Sequence, residues 1–332
     1  MKRIDFQWHL TNRCNLRCRH CYQSQFQDDF GENRIFDVAN RLLGELRDHG
    51  YCTTLNLTGG EPFLLGESFF SLLHLLDHSE PVQEITIISN GLLIDRKVIR
   101  RLNAYQKLTT LKISLEGACA ETNDAIRGKG IFEKVVKRLK EIREDSVIQV
   151  VLMFTVSKRN LSELEGMFAL SQNLGLDGLM IERFIPEGRG RAISEELLDS
   201  HDWESIIRRL IALTQVDTTP LELVSYKAFL IKFGEETELW GAPCNLKEAF
   251  CIMPDGTILP CRRFLYPLGN ILREGFFPSI NATTLLQRVT EKSALEGKCK
   301  TCSLSYCFGC RALGYALSQN PFAEDIQCFI PG

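Results

Sequence analysis

At 332 residues, with 44% hydrophobic and 24% charged residues, the chain has the make-up of a globular protein of one large or two modest domains. Its formal charge of −3 gives no reason to expect nucleic-acid binding or a polybasic membrane contact. No apolar run reaches the ~18 residues of a membrane span, and no signal-peptide core follows residues 1–5, so a cytoplasmic location is expected.

Thirteen cysteines, an odd number, point in a reducing compartment to metal ligands rather than disulfides. From residue 1 to about 190, short β-rich runs alternate with amphipathic segments, the pattern of βα units. Strands are predicted at 4–11, 54–58, 84–89, 110–115, 147–156 and 179–184. Helices are predicted at 36–49, 67–78, 96–105, 131–144 and 161–174. Asp95 and Asn160 are expected N-caps, and Gly50 and Gly175 expected left-handed C-terminal residues.

The first strand leads into Cys14-Asn15-Leu16-Arg17-Cys18-Arg19-His20-Cys21. Three thiolates on one loop can hold three irons of a [4Fe–4S] cube, which ordinarily takes four cysteines. Cys52 is the next cysteine, so the fourth iron would keep an open position, where metal catalysis takes place. Half of a zinc site is the alternative, although the second ligand pair such sites use is lacking nearby.

After the second strand comes Thr58-Gly59-Gly60-Glu61, two glycines for close backbone approach and a carboxylate for an ammonium group. Ser89-Asn90-Gly91 ends the third strand. Ser114-Leu115-Glu116-Gly117 ends the fourth, and alternation puts Ser114 and Glu116 on one face, able to bind a ribose hydroxyl pair. Cys119, just beyond, is a candidate hydrogen-atom donor or a structural thiol, and Cys52 a small buried hydrophobe. Ile126-Arg127-Gly128 follows.

A loop at 186–191 closes this region, and a helix over about 194–214 begins a bridge covering 191–240. From about 241 the composition changes. Eight cysteines fall at Cys244, Cys251, Cys261, Cys299, Cys302, Cys307, Cys310 and Cys328, and Pro254-Asp255-Gly256 marks a hairpin. That segment reads as a small domain organised by metal rather than by a large apolar core. Eight cysteines make two Cys₄ sets, for iron–sulfur clusters or for zinc.

The C-x₃-C-x₂-C loop resembles the signature of radical S-adenosylmethionine (SAM) enzymes, and the C-terminal cysteines resemble the SPASM domain of their peptide-modifying members. The resemblance implies an α/β fold: a partial (β/α)₆ TIM-like barrel at 1–190, a helical bridge at 191–240 and a Cys-rich SPASM domain at 241–332. In that family the open iron chelates SAM, whose cleavage yields a 5′-deoxyadenosyl radical. Thr58, Gly59, Gly60 and Glu61 match the Gly-Gly-Glu motif that grips the methionine amino group. Ser89, Asn90, Ser114 and Glu116 fall at further SAM-contact positions, with Glu116 where an aspartate is common. Arg127 matches an arginine on the SAM carboxylate, and His20 stands where an aromatic residue packs on adenine. The family's interleaved pairing gives Cys244, Cys251, Cys261 and Cys310 to one auxiliary cluster. Cys299, Cys302, Cys307 and Cys328 go to the other, making three [4Fe–4S] clusters.

The activity so implied is maturation of a ribosomal peptide by crosslinking, thioether formation or epimerisation. Its partners would be a peptide or small-protein substrate and a low-potential reductant such as flavodoxin or ferredoxin. With thirteen residues before Cys14, a leader-peptide-binding domain would be a separate protein or unnecessary. Arg262 follows Cys261 where sulfatase maturases carry an aspartate, which counts against that activity. A second reading is cofactor building of the haem or tungsten type, with Arg183, Arg189, Arg262 and Arg263 meeting an anionic substrate. The non-enzyme reading is an iron–sulfur or zinc binding module.

Overall fold

The computed structural model describes residues 2–28, 31 and 33–330. Six strands form a parallel run in sequence order: β2 (Asp5–His9), β3 (Tyr51–Thr58), β4 (Val82–Ser89), β5 (Leu108–Ser114), β6 (Gln149–Val156) and β7 (Gly178–Arg183). A short β1 (Lys2–Arg3) pairs with β3. These strands are covered on one side by helices α1 (Arg34–Asp48), α2 (Glu67–Asp77), α3 (Arg96–Leu102), α4 (Ala120–Arg127), α5 (Ile131–Asp145) and α6 (Leu164–Asn173). Burial of both strand faces explains the near-continuous apolar run Val150–Phe154 in β6. In α1 the buried residues Ile35, Val38, Ala39, Leu42 and Leu46 recur every three or four positions, the stripe that packs a helix on a sheet.

Each predicted strand and helix of this region is present, with ends moved by a few residues. Asp95 caps α3, accepting the Val98 N–H at 2.9 Å. Gly50 and Gly175 have positive φ, 70° and 63°. Asn160 is not a side-chain cap. Its Oδ1 accepts the Ser157 N–H at 2.8 Å, and its Nδ2 donates to Glu116 O and Thr155 O at 3.0 Å, tying two strand ends together.

The segment expected as a helical bridge holds α7 (Ser200–Thr214), started by an Asp199/Asp202 capping box, and the single turn α8 (Pro220–Leu223). It also holds strand, because β8 (Ala228–Lys232) pairs antiparallel with β7, and β9 (Glu238–Ala242) pairs with β8. At the other edge β10 (Ala249–Ile252) lies parallel to β2, followed by β11 (Thr257–Leu259) and β12 (Gly269–Asn270) as antiparallel neighbours. The Cys-rich segment therefore continues the barrel sheet on its β2 side. It also shares the apolar core: the Phe6 ring meets Phe276 at 4.9 Å and Phe250 at 6.3 Å. Each such buried ring is worth about 2 kcal/mol relative to exposure, so metal is not the sole support of this segment. Helices α9 (Phe276–Ala282), α10 (Leu285–Arg288), α11 (Gly297–Thr301) and α12 (Arg311–Ser318) complete it. Among the described residues no helix is long and apolar enough to cross a membrane.

Candidate active site

The loop carrying Cys14, Cys18 and Cys21 leaves the C-terminal end of β2, the end where barrel folds place their chemistry. Backbone bonds fix it from three sides. Gly60 N–H donates to Thr11 O at 2.7 Å and Glu61 N–H to Arg13 O at 2.8 Å. Arg19 N–H donates to Ile126 O at 2.9 Å, and Gly190 N–H to Cys21 O at 3.0 Å. The approach is too close for side chains: a Cβ on Gly59 would lie 2.5 Å from Thr11 O, and one on Gly60 2.1 Å from Arg13 O. The two glycines are thus needed for the strand-end turn to seat the cysteine loop.

The three cysteines line one cavity with Thr58, Gly60, Ser89, Asn90, Ser114 and Glu116. His20, Gly59 and Arg127 border the same cavity, whose empty space, including its open mouth, is about 980 Å³. Burial pushes all three thiols up, Cys21 to about 11 with Cys18 and Cys14 adding to the effect. Without metal they stay protonated at neutral pH.

Two carboxylates behave oppositely here. Glu61 is fully buried, accepting from Ser89 Oγ at 2.8 Å, Asn90 N–H at 2.9 Å and Phe63 N–H at 3.3 Å. Burial pushes it up to about 7 against those donors. It is outside the cavity lining, and instead clasps the β4 end. Burial would also raise Glu116, but His20 and Arg127 hold it down at about 2. Its Oε1 receives Arg127 Nη2 at 2.8 Å and faces His20 Nε2 at 3.3 Å, while Oε2 accepts the Thr155 N–H at 2.7 Å. Among the described residues His20 Nδ1 and Arg127 Nε are buried with no partner.

A second cavity, about 1210 Å³ with its opening, lies toward the Cys-rich segment. The two share Gln7, Glu182, Arg183, Ile185, Arg262 and Arg263. At this waist Glu182 accepts from both Arg262 and Arg263, and Arg262 Nη1 also donates to Gln7 Oε1 at 3.0 Å. Burial would raise Glu182, but Arg262, Arg263 and Lys112 keep it at about 2. Arg183 is 2% exposed, with Nη1 3.6 Å from Asp325 Oδ1 and Nη2 buried without a partner among the described residues. Arg189 lies outside, exposed, donating to Cys18 O at 3.3 Å.

The structure brings Cys244, Cys261 and Cys310 together at the far end of the second cavity. Cys244 is an exposed residue, but enclosure of its thiol by the surrounding chain and then Cys310 and Cys261 push it up. Cys251, buried on β10, is raised by burial and by its neighbour Cys261. Cys299, Cys302, Cys307 and Cys328 line a separate small cavity with Lys292 and Lys298.

Cys119 is the site candidate that stands apart. It is exposed at the start of α4, 3.5 Å from Thr122 Oγ1, and does not line either chamber cavity. The preceding residue is held by Glu163, whose carboxylate accepts the Ala118 N–H at 2.9 Å. Cys52 is half-buried on β3. Sequence reasoning missed Lys112, Tyr22, Thr155 and Glu182. Strand alternation offered a signal for Lys112, which shares a face with Ser114 and Glu116.

Comparison with known proteins agrees with this geometry. Residues 8–170 match the model of the Radical SAM superfamily, and residues 244–303 match SPASM, an iron–sulfur cluster-binding domain. The chain is 26% identical to the AdoMet-dependent heme synthase of Methanosarcina barkeri (strain Fusaro / DSM 804), covering 98% of this chain and 96% of that protein. It is 29% identical to the mycofactocin maturase MftC of Mycobacterium ulcerans (strain Agy99), covering 90% and 80%. Streptococcus suis SuiB bound to its precursor peptide SuiA superposes with a TM-score of 0.72 at 16% identity, covering 99% of this chain and 76% of that one. At such identity the likeness is one of fold.

Proposed function

The chain is a radical SAM enzyme with a C-terminal SPASM domain, and we propose that it abstracts a hydrogen atom from a carboxylate-bearing substrate. That substrate would lie between the Cys14/Cys18/Cys21 loop and the Cys244/Cys251/Cys261/Cys310 group. One observation carries the reading: Arg183, Arg262 and Arg263 all border the waist joining the two cavities, where Arg262 and Arg263, with Lys112 near them, share the carboxylate of Glu182. Arg183 has Asp325 behind it, and Asp325 is shared with Lys227. The excess of buried cations favours an anionic ligand.

The residues at the barrel mouth fit a cluster with SAM. Three thiols line one cavity, His20 and Arg127 border it with a ring or guanidinium nitrogen that has no partner among the described residues, and Gly59 and Gly60 border it too. Cys14, Cys18 and Cys21 would hold a [4Fe–4S] cluster that, with SAM, would supply a 5′-deoxyadenosyl radical for hydrogen-atom abstraction. Glu61 fixes Ser89 and Asn90, leaving the Gly59-Gly60 backbone to receive the methionine amino group. Arg127 and His20 hold Glu116 ionised at the ribose end, with Ser114 on the same face. Each C-terminal cysteine foursome suits one further [4Fe–4S] cluster, giving three per chain. A low-potential flavodoxin or ferredoxin in the cytoplasm would serve as reductant.

Two substrate sources share the carboxylate chemistry. A haem-type cofactor precursor is favoured by the depth of the arginines, within reach of a compact molecule's carboxylates. A relative named as a heme synthase aligns over nearly all of the chain. A ribosomal peptide, with a separate leader-binding protein, is favoured by the mycofactocin maturase relative. The anaerobically reconstituted enzyme should be given SAM, dithionite and either an iron porphyrin with free carboxylates or peptides encoded by neighbouring genes. Deoxyadenosine that rises with the porphyrin, and a mass change on it, supports the first source; the same response to a peptide alone supports the second. Stimulation by neither, or by uncharged ester analogues equally well, counts against the carboxylate reading.

A further inference from the structure

Between the two C-terminal cysteine groups lies a buried cation that the chemistry above does not use. Lys227, just ahead of β8, has a side chain only 13% exposed, and its Nζ stands 3.3 Å from Asp325 Oδ2. The same ammonium donates to Val224 O at 3.4 Å and points at Cys307 Sγ at 3.9 Å. Lys227 also borders the second cavity together with Cys244, Cys261 and Cys310. One cation therefore faces both cysteine groups.

Asp325 holds it there. This fully buried carboxylate accepts the Cys310 N–H on Oδ2 at 2.9 Å, and its Oδ1 faces Arg183 Nη1 at 3.6 Å. Its own backbone N–H donates to Cys299 Sγ at 3.4 Å, and Arg311 Nη2 approaches the same sulfur at 3.6 Å. Two cations share one anion, so the trio of Arg183, Asp325 and Lys227 keeps a net positive charge. Neutralising Asp325 needs only one of them. The second is an uncompensated buried charge, costly unless something negative completes it. A thiolate-bound iron–sulfur cluster is negative, and becomes more so with each electron it accepts.

We propose that Lys227, held by Asp325, raises the reduction potential of the cluster on Cys299, Cys302, Cys307 and Cys328. A fixed positive charge stabilises the reduced cluster more than the oxidised one, and N–H donors on the sulfurs act in the same direction. At 3.9 Å, with the Lys227 side chain only 13% exposed, the interaction escapes part of the solvent screening. The inference rests on iron–sulfur occupancy of the SPASM cysteines and is independent of the substrate.

The test uses the full-length, anaerobically reconstituted protein, its iron counted and its clusters titrated potentiometrically with EPR detection. The signal lost in Cys302→Ala identifies the cluster in question. Lys227→Met, similar in length and without charge, should keep its iron and move that signal to a more negative potential, by more than it moves the signal of the cluster on Cys244, Cys251, Cys261 and Cys310. Lys227→Arg should restore most of the shift, and the cluster of Cys14, Cys18 and Cys21 should not move. Full iron with unchanged potentials in Lys227→Met would overturn the proposal. Where that variant loses iron, Lys227→Gln takes its place, and loss of iron from all three variants makes Lys227 a structural residue and also overturns it. A natural chain holding only about four irons removes the cluster premise and the proposal with it, whereas a failed porphyrin or peptide assay leaves these potentials unaffected.

Discussion

The Glu61 carboxylate accepts the Asn90 backbone N–H at 2.9 Å, joining two residues 29 positions apart. With Ser89 Oγ at 2.8 Å on its other oxygen, it locks the β4 end onto the glycine turn that seats the cysteine loop. Glu61 thus acts as a clasp of the site's wall, while its neighbours Gly59 and Gly60 border the cavity itself.

This clasp makes stability depend on pH. Burial raises the Glu61 carboxyl to about 7, above the ordinary value of 4.5, so the folded chain binds this proton more tightly than the unfolded one. The contribution is full below the ordinary value and disappears as pH rises through about 7. Between pH 8 and pH 6 the SAM-free protein should gain about 1 kcal/mol, or roughly 2 °C in thermal midpoint. Glu61→Gln, neutral throughout, should flatten that slope; an unchanged slope in the variant would assign it elsewhere.

Gly60 tests the seating of the loop. An added Cβ would lie 2.1 Å from Arg13 O and 2.6 Å from the Arg13 carbonyl carbon, both backbone atoms next to Cys14. Gly60→Ala should displace the loop, and the reconstituted variant should lack about four irons per chain and cleave no SAM. The iron bound by the C-terminal cysteines should stay. Normal iron and SAM cleavage in the variant would mean that the turn can give way.

What the sequence made legible follows from the range of each signal. Runs such as Val150–Phe154 declare a buried strand locally, and the spacing of Cys14, Cys18 and Cys21 declares a ligand loop locally. Helix α4 escaped because Ala120–Arg127 buries Asn123 and Arg127 rather than an apolar stripe. Strands β8 and β9 have five residues each, too few for a clear period. The β10–β2 pairing joins Ala249 to Asp5, a contact no local pattern announces. Glu182 was hidden for the same reason, and Lys112 had only its shared strand face with Ser114 to announce it. Each reads as an ordinary charged residue in its own strand, and only closure of the sheet turns both toward the arginines of the Cys-rich segment.

Glu182 should be the costliest of these charges to remove. Among the described residues it alone pairs with both Arg262 and Arg263, which are 17% and 12% exposed. Glu182→Gln leaves two mostly buried guanidinium groups without their carboxylate, an arrangement that typically costs 3 to 5 kcal/mol, with about 3 expected here. The denaturation midpoint should fall accordingly at pH 7, because the carboxyl, held at about 2, is fully ionised there. Adding Arg263→Met should recover part of the loss by removing one stranded cation. If Glu182→Gln left the midpoint unchanged, water would already be compensating those charges.

Arg183 carries the prediction closest to function. Its guanidinium stacks 5.0 Å from the Trp203 ring and meets Asp325 through Nη1, which fixes its direction. Among the described residues Nη2 has no partner, and its side chain borders both cavities, so it is the donor with unused capacity for a substrate carboxylate. Arg262 and Arg263 are already engaged by Glu182, Gln7 and the Arg183 carbonyl. A charge-assisted hydrogen bond is worth roughly 1.5 to 3 kcal/mol, or about ten- to a hundredfold in affinity. Arg183→Met should therefore raise KM for the substrate by at least about tenfold, with a smaller fall in kcat. Lys227 remains 3.3 Å from Asp325, so the fold should tolerate this change better than the loss of Glu182. Steady-state kinetics with the accepted porphyrin or peptide decides the matter, because an unchanged KM would remove Arg183 from the substrate site.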